Sequence, residues 1–534
     1  MKTLISIGLI VLNFSLIAQT DTQVLLDAFR IQSKKYVKDL KEFRTDQALD
    51  TFASKTNLMY LFGSGESQIL QINHDQRFRN LGRIKLVHTM SSGAGSLSHD
   101  NFRTSKSSVC HELDKGRIKN ELKISYFTDG RKLNGGLLND SSFLFTDLGQ
   151  EFLPISLADN SSNAKRLLLT DIFRFRLSEQ LDLTASIDYR HTDRNYSGNG
   201  IADSLFYDTV YFAEGEFVDY FRNRNVKYGL GTQYLDSTFR MSAEVFSDND
   251  YFYNQSKREW HGVGAGFSVM VRSRSKKTLY KMDGEYHFSG YRKEGFSVGL
   301  TANASVDSLN TLLIRAGSCL LPPAYNELSY AGNHYVWNSE LSNYPWKNEF
   351  SIEYSDTARK FRAGLECTYT KDYFYFDTNM IAAQTKAAHF GNISLFKTFS
   401  VWNIKIPLKA SVNLVQSNEI RLPLINATAG LFIGMRVFKA KLKLDLGAQC
   451  NWFSKYYPNR FEPSTGILYL QDDVEIGNFP FIDLVLRSTV KNASFYFMLI
   501  HVNENLTGRN YYVRPNYLEL GSRFIFGISW QFLN

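Results

Sequence analysis

Residues 402–414 read WNIKIPLKASVNL, and their period decides the fold. Trp402, Ile404, Ile406, Leu408, Ala410, Val412 and Leu414 fall on one side of an extended chain. Asn403, Lys405, Lys409, Ser411 and Asn413 fall on the other. Side chains alternate across a strand, so this stretch predicts a sheet with one apolar and one polar face. Its length matters as much as its period. Soluble strands usually run about five or six residues, whereas a tilted strand crossing a bilayer needs about 9–11.

The same signal recurs in both directions. In 181–190, Leu181, Leu183, Ala185, Ile187 and Tyr189 oppose Asp182, Thr184, Ser186, Asp188 and Arg190. In 442–452, Leu442, Leu444, Leu446, Ala448, Cys450 and Trp452 oppose Lys443, Asp445, Gln449 and Asn451. The last strand sets Phe524, Phe526, Ile528, Trp530 and Phe532 against Arg523, Ser529 and Gln531. Tight turns are expected near Lys491-Asn492, Phe438-Lys439, Phe399-Ser400, Asp356-Thr357, Asp307-Ser308, Ser273–Ser275, Asp236-Ser237 and Ser178-Glu179. Longer links are expected at 504–519, 454–478, 417–424, 373–386, 319–344, 249–259, 192–225 and 129–164, with a short one at 289–293. Short connections alternating with long ones are the plan of a bacterial outer-membrane barrel, whose sheet must close because hydrocarbon offers no partner to a free edge. The expected fold is therefore all-β, a transmembrane antiparallel barrel of about 18–20 strands with short periplasmic turns and long extracellular loops.

The remaining features agree. Met1-Lys2, an apolar run from Leu4 to Ile17 and then Ala18-Gln19 predict a secretory signal peptide over 1–18. Residues 19–55 are expected to be a short periplasmic lead, too short for a folded plug, and 56–534 the barrel. Thirty Tyr and 41 Phe against 10 Pro suit long strands and aromatic girdles. The net charge of +8 is spread along the chain, which argues against a nucleic-acid partner. Cys110, Cys319, Cys367 and Cys450 form no CxxC pair, so no metal site is expected, and Cys367 and Cys450 are expected to act as small buried hydrophobes. No cofactor is expected and no enzyme. Ser64 and Ser67 lack a strand–turn–helix setting, and His111-Glu112 has no second His at zinc spacing. Asp248, Asn249 and Asp250 cluster in an expected outer loop, where a solvated turn outweighs a Ca²⁺ site.

Several segments resemble the Bacteroidetes "putative porin" family of large outer-membrane barrels. They are YYPNRFEPSTGILYLQDDVEIGNFPF (Tyr456 to Phe481), HVNENLTGRNYY (His501 to Tyr512) and RPNYLELGSRFIFGISWQF (Arg514 to Phe532). Upstream stand TNLMYLFGSGESQILQINHDQ (Thr56 to Gln76), NGG (Asn134 to Gly136), SGY (Ser289 to Tyr291), PAYNELSYAGNHYVWN (Pro323 to Asn338) and FYFDTNMIAAQ (Phe374 to Gln384). The resemblance implies a Gram-negative outer-membrane location, a barrel and a channel, and it brings no established functional residues.

If the apolar phase faces lipid, the polar phase lines the lumen. Its basic members are Arg174, Arg176, Arg190, Arg272, Lys281, Arg315, Arg362, Lys405, Lys409, Lys443, Arg487 and Arg523. Its acidic members are Asp182, Asp188, Asp283, Glu285, Glu366 and Asp445. The excess of bases suggests a weak anion preference, set against the alternative that opposed charges pair across the wall. Tyr325, Tyr330, His334, Tyr335 and Trp337 are candidates for a loop constriction, or equally for a packed outer cap. The expected function is passive or facilitated diffusion of small hydrophilic solutes. The alternative is a loop-closed barrel that serves as a surface binding, assembly or secretion partner. Expected partners are outer-membrane lipid, the solutes and the barrel-insertion machinery, engaged through the aromatic C-terminal strand.

Overall fold

The computed structural model describes residues 54–533, apart from 140–142, 145–147, 276 and 440. The expected signal peptide and nearly all of the lead segment lie outside the described residues. Lys55, placed in that lead by the sequence, already opens the first strand.

Twenty-two strands form one closed antiparallel sheet, beginning with Lys55–Gly63 and ending with Arg523–Leu533. Each barrel strand pairs with the next in the chain, and the last returns to the first through Lys55↔Leu533 and Gly63↔Ile525. Closure removes the free edges that hydrocarbon would leave unpaired. Among the described residues no helix is long and apolar enough to cross a membrane; the strands do the crossing.

The sheet has 22 strands where the sequence predicts about 18–20, and the N-terminal hairpins account for the difference. Phe102–Lys115 is polar on both faces, so alternation gives no signal there although the ladder is complete. All but one of the expected tight turns coincide with observed connections. The exception is Phe399-Ser400: the ladder runs on to Val401↔Ile404, and Trp402, 98% exposed, sits at the turn with φ 52°.

Several strands also outrun their expected ends. Asn160–Arg176, Leu181–Asn199 and Glu216–Leu235 span 17, 19 and 20 residues, far more than the bilayer requires. The outer portions of the first two are largely polar on both faces, and that of the third has apolar residues on both (Phe217 and Phe221, Val218 and Tyr220), so periodicity fades while hydrogen bonding continues. For the same reason Asp248, Asn249 and Asp250, expected in a loop, lie in the strand Phe239–Tyr253. Cys367 is exposed rather than buried, because the apolar phase of its strand points to the lipid.

The long connections pack together at one end. Leu137, Phe143, Leu153, Ile476, Phe479, Tyr511 and Leu518 form a buried cluster drawn from loops 134–159, 454–480 and 501–522. Two motifs shared with the family resemblance hold this layer. Gly136, at φ +82°, stands where a Cβ would lie 2.7 Å from the Asn516 carbonyl oxygen. Asn134 donates from Nδ2 to the Ser98 carbonyl and accepts the Gly136 N–H. A second apolar cluster lies on the inner wall itself, where Met59, Leu61, Tyr496, Met498 and Ile525 are covered with help from Leu520.

Candidate transport path

Strand register assigns the faces. Thr170 bonds Asp188 across one pair of strands, Arg176 reaches Asp182 at 3.6 Å, and all four share the inner phase. Leu183 and Ile187, on the opposite phase, are exposed to the outside. Carried around the ladder, this register puts every basic and acidic residue named from the polar phase on the inner wall.

Most of these charges are paired. Lys281 meets Asp283 at 2.6 Å, Lys405 meets Asp445 at 3.4 Å, and Arg487 also binds Asp445. Arg362 lies 3.7 Å from Glu353, and Arg174 lies 4.0 Å from Glu121. Glu285 takes Lys227 at 2.8 Å. Arg523 leaves the set altogether, since its guanidinium donates to the Ala94 and Gly95 carbonyls and clamps an outer loop. Among the described residues Arg190, Arg272, Arg315 and Lys443 make no ion pair.

Arg190 and Arg315 both line a cavity of about 1220 Å³ inside the barrel. Its roof is built by loop 321–345 and loop 454–480, with Tyr325, Glu327, Gly466 and Leu468 facing it. Part of its wall is fixed by a buried cluster on the outer ends of neighbouring strands. Arg292 donates to Asp248 Oδ2 at 2.5 Å and to Asp250 Oδ2 at 2.9 Å, while Asn225 Nδ2 donates to Asp248 Oδ1 at 2.6 Å. The acidic pair expected as a loop thus holds a guanidinium.

The aromatic loop is packed rather than open. Tyr325 stacks edge-on with Phe252 at 4.7 Å and leans on Trp260 at 4.8 Å. Tyr330 is buried and stacks on Trp337 at 4.8 Å. His334 lies flat on Tyr207 at 3.8 Å and donates from Nδ1 to the Thr209 carbonyl; its burial holds its pKa below the ordinary value. Tyr335 donates to Glu462 Oε2 at 3.3 Å, and Tyr207 donates to Glu462 Oε1 at 2.9 Å. Burial raises the Glu462 carboxyl above the usual carboxylate range, opposed by the Ser464 N–H and hydroxyl. His334 and Tyr335 thus tie loop 321–345 to loops 200–215 and 454–480, while Tyr325 seats it on the strand wall.

Two elements of that roof have no periodic signal in the sequence. Arg194, nearly buried on the inner wall, donates from its two terminal nitrogens to the carbonyls of Ser464 at 2.6 Å and Pro463 at 2.7 Å. Glu462 sits inside FEPSTG, a stretch that sequence similarity marks without explaining. The sequence could suggest that the loop mattered, not which wall residue it touched. Among the described residues no group of three or more His, Cys, Asp or Glu is arranged to hold a metal ion.

Solved structures with the same fold are numerous. The copper transporter OprC superposes with a TM-score of 0.62 at 12% identity, covering 91% of this chain and 81% of that one. The FrpB iron transporter from Neisseria meningitidis gives 0.60 at 10% identity, with 91% and 83% covered. A variant of the ferric enterobactin receptor PfeA from Pseudomonas aeruginosa gives 0.60 at 11% identity, with 91% and 81% covered. At such identities the likeness concerns the barrel alone. No curated protein matches the sequence. A family model described as "Putative porin" matches residues 131–534, most of the chain, and this protein accordingly belongs to that family of outer-membrane transport barrels.

Proposed function

We propose that the protein is a porin-like conduit through which small hydrophilic solutes cross the outer membrane by passive or facilitated diffusion. The observation that carries this reading is the cavity of about 1220 Å³ under the loop roof, walled by inner strand faces that mix charged with apolar side chains and reached by Arg190 and Arg315. A closed sheet of this strand number encloses an aqueous lumen unless something fills it. The anion preference is small, because half of the twelve inner-wall bases sit in ion pairs, and it is carried by the two that reach the cavity unpaired among the described residues, Arg190 and Arg315. No chemical step is assigned to the chain. The test is osmotic swelling of proteoliposomes in neutral sugars of increasing size. Swelling that falls with solute size supports the conduit, and swelling no faster than in protein-free liposomes refutes it.

A second reading has its own support. The packed roof, with apolar side chains such as Ile201, Leu205 and Phe212 exposed on loop 200–215, suits a closed barrel that binds a surface partner. Under that reading, deleting 201–212 abolishes partner capture while solute flux stays at background.

A further inference from the structure

Around most of its circumference the lipid-facing surface is apolar. At mid-strand it presents Ile187, Val245, Leu300, Leu408, Leu431 and Leu446, all exposed. One sector departs from this. Along the strands from Lys55–Gly63 to Asn160–Arg176, the outward register carries Thr56, His74, His88, Ser107, Asn120 and Asp171. His74, His88 and Ser107 lie in the middle of their strands.

These groups bond one another across the ladder. His74 Nδ1 and Thr56 Oγ1 are 2.8 Å apart, as are His88 Nδ1 and Ser107 Oγ. Asn120 donates from Nδ2 to Asp171 Oδ1 at 2.6 Å. The pairing is incomplete, because the structure gives His88 Nε2 and Asp171 Oδ2 no partner among the described residues. Polar groups held against hydrocarbon without a partner are costly, and ionisable ones are rare on a lipid face. A sector of this kind points to contact with protein instead of lipid.

We propose that a second copy of this chain covers the sector, forming a dimer with its two-fold axis along the membrane normal. All copies enter the membrane in one orientation, so such an axis brings the sector onto itself at equal depth. The chemistry suits self-association. Hydroxyls, imidazoles and carboxamides both donate and accept, so the surface complements itself, and Asp171 is the single acid among the residues named. A surface with one sign of charge would repel its copy.

Sedimentation of the purified protein in mild detergent and in lipid nanodiscs tests this. The expected result is twice the monomer mass for the natural chain. The triple variant His74→Leu, His88→Leu, Ser107→Val should run at the monomer mass while keeping the heat-modifiable gel mobility of a folded barrel. If that variant does not fold, Ser107→Cys oxidised in intact outer membranes gives the answer independently. It should cross-link two copies, whereas Cys367, which faces lipid from another part of the barrel, should not. A natural chain that is monomeric in nanodiscs, with no cross-link through position 107, overturns the proposal, as does a folded triple variant that remains dimeric. A cross-link from that position to a different protein overturns it equally, by replacing the second copy with another occupant.

Discussion

Removing the Arg194 guanidinium tests the loop roof at its best-defined joint. Arg194→Ala deletes two short bonds to buried carbonyls, those of Ser464 and Pro463. Bonds from a charged donor contribute about 1.5–3 kcal/mol each, so the pair amounts to roughly 3–6 kcal/mol. Part is recovered, because water reaches the freed carbonyls and about 2 kcal/mol of arginine rotamer entropy is no longer lost. A net weakening of about 1–4 kcal/mol follows. With tenfold per 1.4 kcal/mol, the open population of the loop rises by roughly 5- to 700-fold. Amide hydrogen exchange reads this directly at Gly466, bonded to Glu462, and at Leu470, bonded to Phe376. Both should exchange faster by that factor, while amides of the strand Leu442–Phe453 stay unchanged. Rates at Gly466 and Leu470 within threefold of the natural protein would refute the reasoning.

The pH dependence has a definite sign. Burial lifts the carboxyls of Asp100 and Glu519, both in outer loops, to about 7, so the folded roof favours their neutral forms. That stability is complete below the ordinary carboxyl range and is lost as pH rises through about 7, at most about 3–4 kcal/mol for each group. Loop exchange, corrected for the intrinsic rate, should therefore accelerate between pH 5 and 8, and Glu519→Gln should flatten the profile. Asp248→Ala leaves Arg292 short of a partner in a buried cluster and should cost about 3–5 kcal/mol, read as a lower denaturant midpoint for loss of the folded gel band. Gly290→Ala introduces a Cβ 2.7 Å from the Gly262 Cα at φ +87°, and should lower that midpoint by about 1–3 kcal/mol. In the lumen, exchanging the paired Lys281 and Asp283 should leave ion selectivity unchanged, whereas Arg190→Glu with Arg315→Glu should move the reversal potential toward cations.

How far the sequence discloses this molecule depends on where side chains meet two solvents of opposite character. Leu442–Phe453 has lipid on one face and the lumen on the other, so its alternation is sharp and its inner residues Lys443 and Asp445 can be read directly. Phe102–Lys115 is equally a barrel strand, but Ser105 and Ser107 on its outer face erase the contrast, and with it two strands of the count. Above the membrane the contrast is absent altogether, which is why the outer lengths of Leu181–Asn199 and Phe239–Tyr253 look like loops. The roof is harder still. Arg194 and Ser464 are far apart in sequence, and nothing local to either announces the other. Charge counting likewise overstates the lumen field, because Arg362 meets Glu353 and Arg174 meets Glu121, acids outside the counted set that only the register brings close.

The central claim, that this barrel carries solutes through the outer membrane, is tested most directly by single-channel recording of the purified protein in a planar bilayer under a salt gradient. The account predicts discrete, reproducible conductance steps and a reversal potential displaced slightly toward anions. Verified insertion with a silent bilayer would contradict it, and would leave a barrel closed by its own loops.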